Sequence, residues 1–147
     1  PTDGSNCSNT VTINPDYKRH RYSSVYQNRE VGTTYGEGML NSPTCWLPNS
    51  AKTGFQDGEW MQLDAGDATT ILGVVTQGRN DAGWWTTEYM VKVSTDGKSW
   101  ADIACGRIFQ GNTDMSTKVY NLFPSSVKAR YVRIYPYSYH GYPSLRA

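Results

Sequence analysis

Two adjacent indoles, Trp84 and Trp85, lie just downstream of Arg79 and Asp81. An exposed indole is a flat apolar platform for the C–H face of a sugar, or a wedge into lipid. Arginine and aspartate add planar groups that can meet two neighbouring hydroxyls at once. A second group sits in Tyr137-Ser138-Tyr139-His140-Gly141-Tyr142-Pro143. Tyrosines give a flat face and one hydroxyl at low entropy cost, and His140 adds a hydrogen-bonder at the rim or caps its turn. A third, polar run carries Tyr26, Gln27, Asn28, Arg29, Glu30, Tyr35 and Glu37, with Trp46 just beyond it. Trp46 reads either as a cavity wall or as core. These residue types hold ligands; they do not assemble a reaction centre.

Catalytic readings find no support. His20 and His140 are the two histidines, and neither belongs to a nucleophile motif. Ser23-Ser24 reads as a turn, and Gly36-Glu37-Gly38 lacks the lysine and spacing of a phosphate loop. Glu59 and Asp64 read as surface or turn carboxylates rather than an acid/base pair. The expectation is a protein that is not an enzyme.

Positioning such residues requires rigid elements, and the pattern is β throughout. Turn signals recur at Asn14-Pro15-Asp16, Gln56-Asp57-Gly58, Asp96-Gly97 and Gly111-Asn112, with short β-rich runs between. The clearest strand is 89–94, with Tyr89, Val91 and Val93 on one face. Residues 130–135 alternate too, placing Val132 and Ile134 inward and Arg133 outward. Residues 71–75 are apolar on both faces and read as a central strand. Further strands are expected near 10–13, 59–63, 100–104, 118–122 and 144–147, with a short helical turn within 17–26. Trp84 and Trp85, neighbours on an extended segment, should point to opposite sides: Trp85 into the loop base, Trp84 outward. Arg79 is left open between ligand contact and an internal salt bridge with the loop. Arg146 reads as structural.

The 147 residues fit a single domain spanning 1–147. Eleven tyrosines and five tryptophans suit strands and binding surfaces. A net charge of +1, with Lys18-Arg19-His20-Arg21 as the one basic cluster, excludes a nucleic-acid footprint. No apolar run approaches a membrane span, and no signal peptide opens the chain. Asn6-Cys7-Ser8 is a glycosylation sequon pointing to secretion. The three cysteines, Cys7, Cys45 and Cys105, leave one odd; Cys45 and Cys105 could pair, or either could pair with Cys7.

The order of landmarks resembles the coagulation factor V/VIII type C domain, also called the discoidin domain. It runs through Ser23-Ser24-Val25-Tyr26, Leu40-Asn41-Ser42 and Gly58-Glu59-Trp60-Met61-Gln62-Leu63-Asp64. It continues through residues 71–100, Phe109-Gln110-Gly111-Asn112-Thr113-Asp114, Ala129-Arg130-Tyr131-Val132-Arg133-Ile134-Tyr135-Pro136 and Ser144-Leu145-Arg146. Within the family, the polar loops and the Gln77-Gly78-Arg79-x-Asp81 run look closer to the slime-mould discoidin lectins than to the clotting-factor domains.

The resemblance implies an all-β, discoidin-like (galactose-binding-domain-like) β-sandwich or jelly-roll barrel with ligand loops at one end. Those loops map to 26–39, 79–87 and 137–144. It also implies an N-terminal cysteine, at the place of Cys7, clipped to one after a last strand that here looks cut short. The candidate ligand-binding residues are Trp84, Arg79, Asp81, Trp46, Tyr139, His140, Tyr142, Tyr35 and Glu37. No cofactor is certain, and a calcium role for Asp81, as in some relatives, stays open. The implied partners are glycans of galactose or N-acetylgalactosamine type, at a secreted or cell-surface location. Anionic phospholipid or a cell-surface protein are the alternatives. Membrane-binding relatives insert bulky apolar side chains from the first loop; here it is polar, so Trp84 would act nearly alone, and one anchor binds membrane marginally.

Overall fold

A computed structural model of the chain describes residues 10–147. Its strands are β1 (His20–Tyr22), β2 (Met61–Thr76), β3 (Trp85–Ser94), β4 (Ala101–Asp102), β5 (Phe109–Gln110) and β6 (Val119–His140). They form an antiparallel sheet in the order β1-β2-β6-β3-β4, with β5 on β3. The expected all-β architecture is therefore present, but among the described residues the ladder stays open rather than closing into a barrel.

The two longest strands position everything else. Register shifts interrupt the β2–β6 ladder between Asp64/Thr69 and Ile71/Gly73, so the ribbon bends, as bulges make it do. At Gly73 a side chain is impossible, because a Cβ would sit 2.1 Å from the Asn121 carbonyl oxygen. Beyond the bend, β6 lies between two strands, pairing with β2 from Tyr131 to Ile134 and with β3 from Tyr131 to His140. Trp46, Met61, Val74, Tyr89, Val91 and Ile134 are among the buried side chains at the centre. Tyr89, Val91 and Val93 all point into this core, as the alternation requires. Val132 and Ile134 are buried likewise, and Arg133 faces outward between the rings of Trp60 and Trp100, 3.9 and 4.1 Å from their centroids.

Several expected elements take a different form. Residues 10–13 join no ladder among the described residues. Residues 100–104 split into β4 and the 3-10 turn Ile103–Cys105. By contrast, the short helical turn expected within 17–26 is present, as the 3-10 turn Tyr17–Arg19, and β1 follows it. Residues 144–147 make single bridges, Leu145 to Trp46 and Arg146 to Gln77, rather than a strand. Residues 71–75 are not central: over Thr69–Thr76, β2 pairs with β6 alone among the described residues. That is why Tyr120 and Leu122, opposite Val75 and Gly73, stay more than half exposed. Cys45 is buried and Cys105 exposed, and both are free thiols, so the bridge considered between them does not form. Cys7, and the sequon around it, lie outside the described residues.

Candidate ligand-binding loop cluster

One end of the sheet gathers the three loops. Their bases are fastened by Arg146, which is 2% exposed. Its guanidinium donates to the carbonyls of Gly78 (2.7 Å), Ser42 (2.8 Å) and Met115 (2.8 Å). Gln77 adds bonds from its Nε2 to Ser116 O (2.7 Å) and from Asn41 N to its Oε1 (2.8 Å). Asn112 donates to Thr76 O and Thr117 O, both at 3.0 Å. The structural reading of Arg146 holds, and the clamp draws in a fourth segment, 111–118, beside the three expected loops.

Above this base lies a cleft of about 280 Å³, lined by Tyr26, Tyr35, Leu47, Arg79, Trp84 and Tyr142. Trp84 is 37% exposed. Its indole rests on Gly141, where a Cβ would come within 2.0 Å of the ring and where φ is +80°, a backbone region open chiefly to glycine. Tyr142 tilts against the indole at 5.9 Å between centroids. Arg79 lies over both Trp84 (5.0 Å) and Tyr35 (5.4 Å). Its Nε donates to Asp81 Oδ1 at 2.6 Å, so the internal ion pair is made. The guanidinium holds the Asp81 carboxyl below the usual carboxylate range, chiefly through that hydrogen bond. Arg79 thus acts as a charged brace between two rings, with its charge balanced in place.

Other expected residues fall differently. Trp46 is 0% exposed, stacks on Tyr22 at 5.6 Å and donates to Ser24 O at 2.8 Å; it belongs to the core and walls no open cavity. Glu37 does not reach the cleft, because its carboxylate accepts from Thr44 Oγ1 at 2.6 Å. His140 stacks on Trp85 at 4.5 Å, which fixes the Trp85 ring at the loop base. Tyr139 is exposed at the rim, 6.4 Å from Tyr142. Among the described residues no group of three or more His, Cys, Asp or Glu could hold a metal ion, and the Asp81 oxygens are engaged by Arg79.

Two lining residues, Tyr26 and Leu47, are not among the candidate ligand-binding residues drawn from sequence. Tyr26 offered a signal, since it opens the first loop with an aromatic ring that meets Tyr35 edge-on at 5.3 Å. Leu47 offered none; an aliphatic residue beside a tryptophan reads as core. The first loop is also bent unusually: Gln27 (φ 58), Asn28 (φ 52) and Tyr35 (φ 72) all occupy the left-handed region. Such residues persist only where surrounding bonds hold them. Here Asn49 does so, accepting from Gln27 N at 3.0 Å and donating to Asn28 Oδ1 at 2.8 Å.

Comparison with known proteins agrees with this geometry. Residues 22–147 match the model of the F5/8 type C domain. Retinoschisin of Takifugu rubripes is 37% identical over 118 residues, covering 69% of this chain and 42% of that protein. Discoidin II of Dictyostelium discoideum superposes with a TM-score of 0.73 at 25% identity, covering 86% of this chain and 51% of that one. The family 32 carbohydrate-binding module of C. perfringens NanJ, solved with galactose, shares the fold at a TM-score of 0.61 and 14% identity, with 86% of this chain and 85% of the module covered. The chain spans less than half the length of that retinoschisin and about half of the discoidin II chain. On the family match and the retinoschisin identity together, the chain belongs to the F5/8 type C, or discoidin, domain family.

Proposed function

We propose that this domain is a non-catalytic, extracellular glycan-binding module that holds one sugar ring in the cleft between Trp84, Tyr26 and Tyr35. The observation that carries the reading is the seating of Trp84. Gly141 and Tyr142 support its ring and Arg79 braces it, while over a third of its surface stays open beside a ring-sized cleft. A preset aromatic face loses little freedom on binding. The rim phenols of Tyr26 and Tyr35 make no hydrogen bond among the described residues and are free to meet sugar hydroxyls. Tyr142 is committed to Pro48 O at 3.1 Å. The galactose complex of a fold neighbour supports a galactose or N-acetylgalactosamine type ligand.

The cleft is shallow, so a single copy binds weakly and adhesion needs several copies acting together. Trp84→Ala should abolish saturable binding on a glycan array probed with multimerised protein, while the thermal midpoint moves little. Array signal that survives this substitution would place the sugar elsewhere.

A second reading, attachment to anionic phospholipid, is favoured by one observation. Val31 (43% exposed) and Met115 (37%) are displayed on loops of the same end as Trp84. Full burial of such side chains contributes roughly 1.5–3 kcal/mol each. Sedimentation with phosphatidylserine vesicles, lost in Val31→Asp, would support it.

A further inference from the structure

The charges around the cleft are unevenly matched. Arg79 is balanced by Asp81. Arg29, at the lip of the same cleft, has no carboxylate within salt-bridge distance among the described residues. Its Nε and Nη2 instead reach the neutral Oε1 of Gln27, at 3.3 and 3.2 Å. Its guanidinium carbon stands 5.6 Å from the centroid of Tyr35, the same ring that carries Arg79. Glu30, its neighbour, is exposed, and that residue's carbonyl accepts from Thr33 N and Oγ1. The two left-handed residues immediately before Arg29, Gln27 and Asn28, are held by Asn49. The lip guanidinium is therefore presented by a fixed backbone, exposed, forked and without a counter-charge, next to a ring platform.

From this we infer that the preferred ligand is an acidic glycan. A sugar ring lies in the cleft against Trp84, and a carboxylate or sulfate on that ring, or on the next sugar, pairs with Arg29. This deepens the glycan reading above and rests on it. The physical argument is complementarity: a planar fork pairs with a carboxylate or sulfate through two parallel hydrogen bonds. A neutral glycan would leave that fork on the uncharged Gln27 amide and gain no charge pairing from it. Because the rim is exposed, the attraction must weaken with salt.

The test compares matched neutral, sialylated, uronate-bearing and sulfated oligosaccharides sharing one core sugar. They are bound to the multimerised domain and to its Arg29→Ala, Arg29→Lys and Trp84→Ala variants at about 50 and 500 mM salt. The expected result is at least a tenfold preference for one or more acidic members, about 1.4 kcal/mol, shrinking at high salt. Arg29→Ala should bring acidic binding down to the neutral level with unchanged circular dichroism and thermal midpoint. Arg29→Lys should fall between, because it keeps the charge and loses the fork. The carboxylate and sulfate arms then identify which acid is read. Equal or tighter binding of the neutral core, or a preference that survives Arg29→Ala, overturns the inference and leaves the cleft a neutral-sugar site. Silence toward every oligosaccharide overturns the glycan reading together with it. Binding only to anionic vesicles does the same, and moves the function to lipid.

Discussion

Single side chains at this end of the molecule divide into those that hold and those that meet ligand, and burial sorts them. Arg146 is a holder. Three backbone carbonyls depend on it, and desolvation lowers its affinity for its own proton. Replacing it with methionine leaves those acceptors unpaired, at about 1–3 kcal/mol for each that water cannot reach. Arg146→Met should therefore cost about 3 kcal/mol or more in urea unfolding; a loss under about 1 kcal/mol would mean that other bonds fix the loops. Trp46 shows the limit of reading a residue type alone. An aromatic residue near a binding loop carries the same letter whether it walls a cavity or fills the core. What decided it was three-dimensional: the bridge to Leu145, the stack on Tyr22 and the bond to Ser24. Arg79 was open for a similar reason, since a guanidinium two residues from a carboxylate can close on it or reach past it. The 2.6 Å contact shows that it closes.

At the scale of elements, alternation carried the most information. The strand containing Tyr89, Val91 and Val93, and the inward set Val132 and Ile134, were legible because a half-buried strand repeats every second residue. Residues 71–75 misled because an apolar run without alternation says only that both faces are shielded. It does not say whether a strand or a loop shields them. The ends of elements were also illegible, as at 144–147, where the bridges from Leu145 to Trp46 and from Arg146 to Gln77 depend on partners far away in sequence. The outer face of the sheet offers its own test. Arg133 joins β6 to Trp60 and Trp100 by stacking, and its Nε donates to Gln62 Oε1 at 3.0 Å. Each stacked ring contributes about 0.5–1 kcal/mol at a partly exposed site. Arg133→Leu should lower stability by about 1–2 kcal/mol and alter tryptophan fluorescence, with Arg133→Lys intermediate. Equal stability in all three proteins would show the stack to be incidental.

For the whole molecule, acid is the informative stress. His20 is 3% exposed, with Nε2 near Pro15 O (2.9 Å) and Nδ1 near the Tyr22 hydroxyl (3.0 Å). Burial, partly offset by the bond to Pro15, pushes its pKa down to about 4. The unfolded chain therefore holds more protons than the folded one between about pH 6.5 and pH 4. Stability should be full above pH 6.5, fall through that window by up to roughly 3 kcal/mol, and level off from this source below pH 4. Urea midpoints at pH 7, 5.5 and 4.5 should show the fall in the natural protein and a flatter profile in His20→Gln. A parallel fall in both would assign it to other groups. The paired carboxylates of Asp64 and Asp81 have lowered pKa values and contribute their losses below this window. The clamp built on Arg146, Gln77 and Asn112 has a different implication. It fixes where each loop leaves the sheet without touching what the loop displays at its crest. Positions such as Ala82 and Gly83, where a side chain at Gly83 would meet open space, are therefore replaceable parts. New side chains there can redirect the domain toward other ligands while the scaffold stays as it is, which makes this end of the molecule an evolvable socket.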